Sequence, residues 1–168
     1  AVGSILNIKT GGTYTQTTGN FTNTQGTLTV FAGRDMVFSN GSTTLTNTGT
    51  IEVNSSSALF GSVILSGTYS ESGAGVINYR RYVASTTTWD LIGPPLSGYD
   101  IEDFIDQNTD IASGNGSGAG ASGEYAVGVY TNTAAAYSAG NSWQNYTSAS
   151  YDSAGNLDPG KGYQMATT

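Results

Sequence analysis

Any chemistry on this chain has to come from carboxylates, amides, hydroxyls and aromatic rings, because its 168 residues include no Cys and no His. Thiolate catalysis, Cys/His zinc sites and a Ser-His-Asp triad are therefore excluded. The densest group of acid–base candidates is Asp100, Glu102, Asp103, Asp106 and Asp110. A glycoside hydrolase holds two carboxyl groups about 5–10 Å apart across its substrate, and this group contains enough carboxylates for such a pair. A helix accounts for more of the same residues. Asp100 is placed to cap a short helix over 101–106, in which Ile101, Phe104 and Ile105 share one face while Asp103 and Asp106 point to water. No catalytic residue is expected.

Calcium is the one metal to consider. The acidic group lacks EF-hand spacing and the glycine that such a loop requires. The segment Asp152-Ser153-Ala154-Gly155-Asn156-Leu157-Asp158 has the outline of a calcium loop, with Asp152 and Asp158 as candidate ligands, but turn chemistry explains it better. The expectation is no cofactor, with calcium at these two residues as the alternative.

Aromatic side chains offer a second kind of site. Trp89, Trp143 and the tyrosines at 125, 130, 137, 146, 151 and 163 could stack sugar rings, since Trp and Tyr combine an apolar face with a polar handle. Trp89 and Tyr125 are expected in a core. Tyr137, Trp143 and Tyr146 lie among Gly, Ser and Asn and are expected to be exposed, which makes them the glycan-contact candidates. Thr13/Thr15, Thr22/Thr24, Thr27/Thr29 and Thr46/Thr48 would form ladders able to order water. They read more simply as polar β-formers on exposed strand faces, interrupted at residues 34–38.

The elements that carry these residues follow from a repeat. Phe21-Thr22-Asn23-Thr24-Gln25-Gly26-Thr27-Leu28-Thr29-Val30 and Leu45-Thr46-Asn47-Thr48-Gly49-Thr50-Ile51-Glu52-Val53 share one pattern. With Leu6-Asn7-Ile8, apolar–polar–apolar triplets begin at Leu6, Leu28 and Ile51, about 22 residues apart, a spacing typical of stacked repeats. Residues 1–78 are accordingly expected to form a β-solenoid-like section, with a meandering sandwich as the alternative. Leu6, Ile8, Leu28, Val30, Ile51 and Val53 would face inward, and Asn7, Thr29 and Glu52 would face water. Residues 75–79 would be a fourth rung or the exit from the array.

From Tyr79 the repeat is lost. Residues 79–168 are expected to form a β-sandwich-like section with one short helix, so the fold class is all-β. Its strands are expected around Tyr79–Val83, Trp89–Ile92, Tyr125–Tyr130, Trp143–Tyr146 and Tyr163–Met165, with a Gly/Ser/Ala loop over 113–123.

Five basic residues against twelve acidic ones, a net charge of -7 and a pI near 4.1 argue against nucleic acid and anionic membranes as partners. No run approaches the roughly 18 apolar residues that a spanning helix needs, so membrane insertion is not expected. Only 10% of residues are charged, which leaves solubility to Thr, Ser, Asn and Gly. With the absence of Cys, this composition suits an extracellular or cell-surface protein. The start at Ala1-Val2-Gly3 suggests a processed form or a piece of a longer polypeptide.

An ordered set of motifs adds a resemblance. Trp89-Asp90-Leu91-Ile92-Gly93-Pro94-Pro95, Ile101 with Phe104-Ile105, Tyr125-x-Val127-x-x-Tyr130, Ser142-Trp143-x-x-Tyr146 and Gly160-Lys161-Gly162-Tyr163 occur in this order. The combination resembles large repeat-containing, adhesin-like surface proteins of Bacteroidetes exported by the type IX secretion system, in the region preceding their sorting domain. The resemblance implies secretion, surface attachment and a structural or adhesive role, and it supplies no catalytic residues. It also implies that residues 79–168 are completed by following sequence or by a partner. Asp152-Ser153-Ala154 matches the short O-glycosylation motif of that group, which makes Ser153 a candidate acceptor.

The functional expectation is a secreted, non-enzymatic structural or adhesive protein, a subunit or module of an extracellular fibre. Its partners would be copies of itself, neighbouring domains of a longer chain, or surface polysaccharide. The alternatives are a carbohydrate-binding module and a fragment of a polysaccharide-degrading enzyme.

Overall fold

The computed structural model describes residues 5–8, 13–71, 73–83, 88–114, 116–117, 123–133 and 142–168. The chain divides into two compact units, Ala1–Tyr82 and Val83–Thr168. Strands dominate both, and the only α-helix among the described residues has seven residues, so the fold class is all-β. The loss of the sequence repeat at Tyr79 falls within the last strand of the first unit, and the unit boundary lies a few residues later.

The first unit runs through β1 (Ile5–Ile8), β2 (Tyr14–Gln16), β3 (Phe21–Asn23), β4 (Thr27–Val30), β5 (Asp35–Phe38), β6 (Thr44–Asn47), β7 (Thr50–Val53), β8 (Ser62–Leu65), β9 (Thr68–Glu71) and β10 (Val76–Tyr79). Every third strand joins the same parallel sheet, giving the orders β1-β4-β7-β10, β2-β5-β8 and β3-β6-β9. Parallel neighbours need a crossover of a dozen or more residues, and here the two intervening strands provide it. The sequence triplets stack in register: Leu6 beside Leu28, Leu28 beside Ile51, and Ile51 beside Ile77.

Alternation turns one side of each strand inward. Leu28 and Val30 of β4, Met36 and Phe38 of β5, Leu45 of β6, and Ile51 and Val53 of β7 form one buried cluster fed by all three sheets. Phe21 packs edge-on against Phe38, with ring centroids 5.8 Å apart. Residues 34–38 interrupt the threonine ladder, since Val37 stands beside Thr15, but Asp35–Phe38 is itself strand β5, in register with β2 and β8. Two expectations are corrected. Thr29 is buried rather than facing water, because Asn7 and Glu52 flank it in register on both sides. Leu6 is 43% exposed, because among the described strands β1 stands at the end of its sheet, paired with β4 alone.

The repeated Asn and Gly hold successive strands together. Asn23 and Asn47 are register partners, and Asn23 Nδ2 donates to Asn47 Oδ1 at 2.9 Å and to Thr50 O at 3.0 Å. Asn47, fully buried, passes the pattern on: its Nδ2 donates to Val76 O at 3.1 Å. At the next register position stands Glu71, which ends the run of amides. Gly49 lies where the backbones approach closely, and a Cβ there would run into Gly26 N and O. Gly75 is likewise pressed against Asn47 O.

One group in this unit is left unsatisfied. Among the described residues, the Thr43 hydroxyl is buried with no hydrogen-bond partner. Replacing it with a methyl group of similar size removes a desolvated polar atom at little packing loss. Thr43→Val is expected to raise stability by about 1 kcal/mol, read as a higher urea midpoint by far-UV circular dichroism.

The second unit contains β11 (Asp90–Ile92), α1 (Ile101–Gln107), β12 (Ala112–Ser113), β13 (Gly116–Ser117), β14 (Glu124–Tyr130), β15 (Trp143–Thr147), a 3-10 turn (Tyr151–Ser153) and β16 (Tyr163–Met165). Its strands form a single sheet, β11-β16-β14-β12-β13, with β15 also paired to β14. Antiparallel pairing holds throughout. The core is the sheet residues Tyr125, Val127, Tyr163 and Met165 packed with Ile101 and Ile105 of α1, Ile111 and Leu157. The buried face is thus covered by a helix and turns, and the described strands supply no second sheet. Asp100 caps α1 as the spacing predicts, its Oδ1 accepting from Glu102 N–H at 2.8 Å. The expected glycine-rich loop begins with a short ladder, in which β12 pairs with β13.

Candidate functional site

The face of the second sheet turned away from its core is the richest surface in this unit. Along β14, Tyr125 and Val127 face the core, so Gly128 and Tyr130 must face the other way. Gly128 sits in a cross-strand row with Gln164 of β16 and Asn145 of β15, and Leu91 of β11 extends that row at the sheet edge. Leu91 is 68% exposed, while its neighbour Ile92 packs on the core, which fixes the direction of β11.

Gly128 has a specific task here. A Cβ at that position would run into Asn145 Oδ1 and the Gln144 backbone. Its absence lets Asn145 fold over β14. Gln164 Nε2 donates to Asn145 Oδ1 at 2.6 Å, and Asn145 Nδ2 donates to Glu124 Oε1 at 2.7 Å. A directed amide–amide–carboxylate relay therefore crosses three strands on an outer face. Two residues further along the strands, Tyr130 and Trp143 are cross-strand partners and meet edge to face, their centroids 5.2 Å apart. Both rings keep exposed surface, 46% for Tyr130 and 38% for Trp143.

The three glycan-contact candidates separate. Trp143 is exposed on this face. Tyr146, expected exposed, is half-buried and packs against the second core. Its phenol is pushed up to about 12, by burial first and then by Tyr163 and Asp158. Tyr137 lies outside the described residues. Trp89, expected in the core, is 51% exposed, and the core positions of that segment are taken by Ile92.

The raised Tyr146 pKa makes stability fall with alkalinity. The unfolded phenol ionises near 10 and the folded one near 12, so the stabilisation is complete below pH 10 and is lost between pH 10 and 12. Tyr146→Phe is expected to flatten this alkaline loss, measured as the unfolding midpoint against pH with tyrosinate absorbance followed in parallel.

The acidic group serves local structure. Asp100 is occupied as a cap, and Asp103 and Asp106 lie on the exposed side of α1. The Glu102 carboxyl is held above its ordinary range by desolvation, then by the charges of Asp152, Asp100, Asp106 and Asp103. Of the calcium candidates, Asp152 lies in the 3-10 turn and Asp158 pairs with Lys161 at 3.3 Å. No group of three or more potential metal ligands converges among the described residues. Ser153 is exposed in the same 3-10 turn, with its hydroxyl 3.4 Å from Ser150 O.

Sequence reasoning placed Tyr130 among the aromatic candidates but passed over Glu124, Gly128, Asn145 and Gln164. The alternation of Tyr125-Ala126-Val127-Gly128-Val129-Tyr130 already assigns Gly128 and Tyr130 to one face. The partners from β15 and β16 depend on register, which no local pattern discloses. Compared with known proteins, the chain matches no family model, no curated protein and no solved structure.

Proposed function

We propose that residues 1–82 are a β-solenoid and that the chain is a secreted, non-enzymatic structural or adhesive protein of the cell surface, a module of an extracellular fibre or stalk. The observation that carries this reading is the same cross-strand step taken twice. Asn23 reaches Asn47 and Thr50 O, and Asn47 reaches Val76 O. A unit whose stacking contacts recur with the sequence repeat extends in one dimension by adding coils, each about 4.8 Å thick. Such a shape suits a spacer. Among the described residues β1 and β10 each have one neighbour in their sheet, and a sheet edge is a place where a copy of the chain or an adjoining domain can pair.

Composition supports the surface location: Thr, Ser, Asn and Gly supply the polar surface and no thiol is present. The resemblance to type IX secretion substrates of Bacteroidetes supports the same assignment. The second unit, with its exposed aromatic and amide face, is the display part of the module.

The test is imaging of the native material. Negative-stain micrographs are expected to show thin rods or fibres labelled at the surface of intact producing cells. Fibre diffraction is expected to place a reflection near 4.8 Å along the rod axis. Intracellular monomers whose size is independent of concentration would overturn the proposal.

A further inference from the structure

The outer face of the second sheet carries a binding site of its own, and we infer that it takes a neutral polysaccharide chain. The site consists of the Tyr130–Trp143 pair and the relay from Gln164 through Asn145 to Glu124. This inference goes beyond the scaffold reading and does not depend on how residues 1–82 stack.

Three features of the face define the ligand. First, the relay is directed and incomplete. Gln164 uses one N–H on Asn145, and Asn145 uses one N–H on Glu124. An amide and a carboxylate have further capacity. Among the described residues, the Gln164 carbonyl, the second Asn145 N–H and the second Glu124 oxygen have no other partner. Neighbouring donors and acceptors held in one row match vicinal hydroxyls, each of which can donate and accept at once. Second, the aromatic pair lies two residues along the strands from that row, about 7 Å away. A pyranose ring presents both C–H faces and hydroxyl edges, so a chain crossing from the rings to the relay would meet both kinds of surface. The edge-to-face contact fixes both rings before binding, which reduces the ordering cost of capture. Third, charge selects against anions. Lys161 is the only basic residue in Val83–Thr168, against nine Asp and Glu, and the relay itself ends in a carboxylate. A uronate or phosphate polymer would be repelled, whereas an uncharged glycan would not.

Gly128 explains why the site exists only in this register. It is the position over which Asn145 closes, and any side chain there would displace Asn145, which links Gln164 to Glu124.

The full chain should be titrated with cellohexaose, xylohexaose and mannohexaose by calorimetry, with a polygalacturonate oligomer as the anionic control. At least one neutral hexaose is expected to bind in the micromolar to millimolar range, with the anionic oligomer at least ten-fold weaker. In a Trp89→Phe background the remaining indole is Trp143, and its fluorescence is expected to shift on binding. Tyr130→Ala and Trp143→Ala are expected to weaken binding at least ten-fold, and Gln164→Ala about three- to ten-fold, with unfolding midpoints near that of the parent. Trp143→Phe, which keeps an aromatic face and protects against misreading a folding defect, should retain most of the affinity. Binding of none of the neutral hexaoses, equal binding of the anionic oligomer, or unchanged affinity in correctly folded Tyr130→Ala and Trp143→Ala would each overturn the inference.

Discussion

Asn47→Asp is expected to destabilise the first unit by about 4 kcal/mol at neutral pH, more than Asn47→Ala at about 3 kcal/mol. The two substitutions differ by one group. Alanine removes the bonds to Asn23, Gly49 N–H and Val76 O together, leaving buried polar atoms unpaired. Aspartate keeps the acceptor for Asn23 but replaces the donor to Val76 O by a second acceptor. It also places a carboxylate at a position with no solvent exposure. A carboxyl group forced to stay neutral in the fold has a raised pKa, so its contribution is fully present below its unfolded value near 3.9 and is lost as pH rises. Stability of the aspartate variant is therefore expected to recover towards wild type on acidification below about pH 4, while that of the alanine variant does not. Both tryptophans, Trp89 and Trp143, lie in the second unit, so far-UV circular dichroism reports both units and indole fluorescence reports the second alone. Early loss of the dichroism signal with unchanged fluorescence is the expected signature. Coincident midpoints for the two variants at every pH would show that the amide is not held as described.

Gly49→Ala is expected to cost about 3 kcal/mol, at the upper end for overpacking. The added methyl would meet Gly26 N and Gly26 O, which are main-chain atoms of the stacked neighbour and have no rotamer to change. The strand pair β4–β7 would have to separate or shift. Gly73→Ala is the control. Gly73 has a φ of 67° but open space around its Cβ direction, so only the left-handed backbone penalty of about 1 kcal/mol applies. A similar loss in both variants would mean that backbone conformation, not close approach, explains the repeated glycine.

Much of the first unit could be read in advance because its inward positions recur with identical chemistry. The triplets at Leu6, Leu28 and Ile51 are register partners in the structure. The sheet β2-β5-β8 was hidden, because Tyr14-Thr15-Gln16, Met36-Val37-Phe38 and Val63-Ile64-Leu65 share neither a polar–apolar pattern nor residue identities, although their burial alternates alike. The role of the repeated Asn was also hidden, since a polar residue in a β-rich repeat reads as a solvent-facing turn. Its burial follows only once the neighbouring strand supplies acceptors.

In the second unit, the cap at Asp100 and the apolar side of α1 were legible because both are local. The outer face was not. Trp89 and Tyr146 exchanged expected environments, since composition around a residue says little about which side of a sheet it occupies. Gly128 carried no sign of its task until Asn145 and Gln164 were placed beside it.

The parallel register has a consequence for how fast the first unit can form. Asn23 to Asn47, Asn23 to Thr50 O and Asn47 to Val76 O close loops of 24, 27 and 29 residues. Loop-closure entropy rises only logarithmically with length, so each parallel pairing meets nearly the same barrier as the one before it. Parallel sheets paired at such even separations can zip from any formed pair of strands, so an added strand would add time rather than slow the search as a whole.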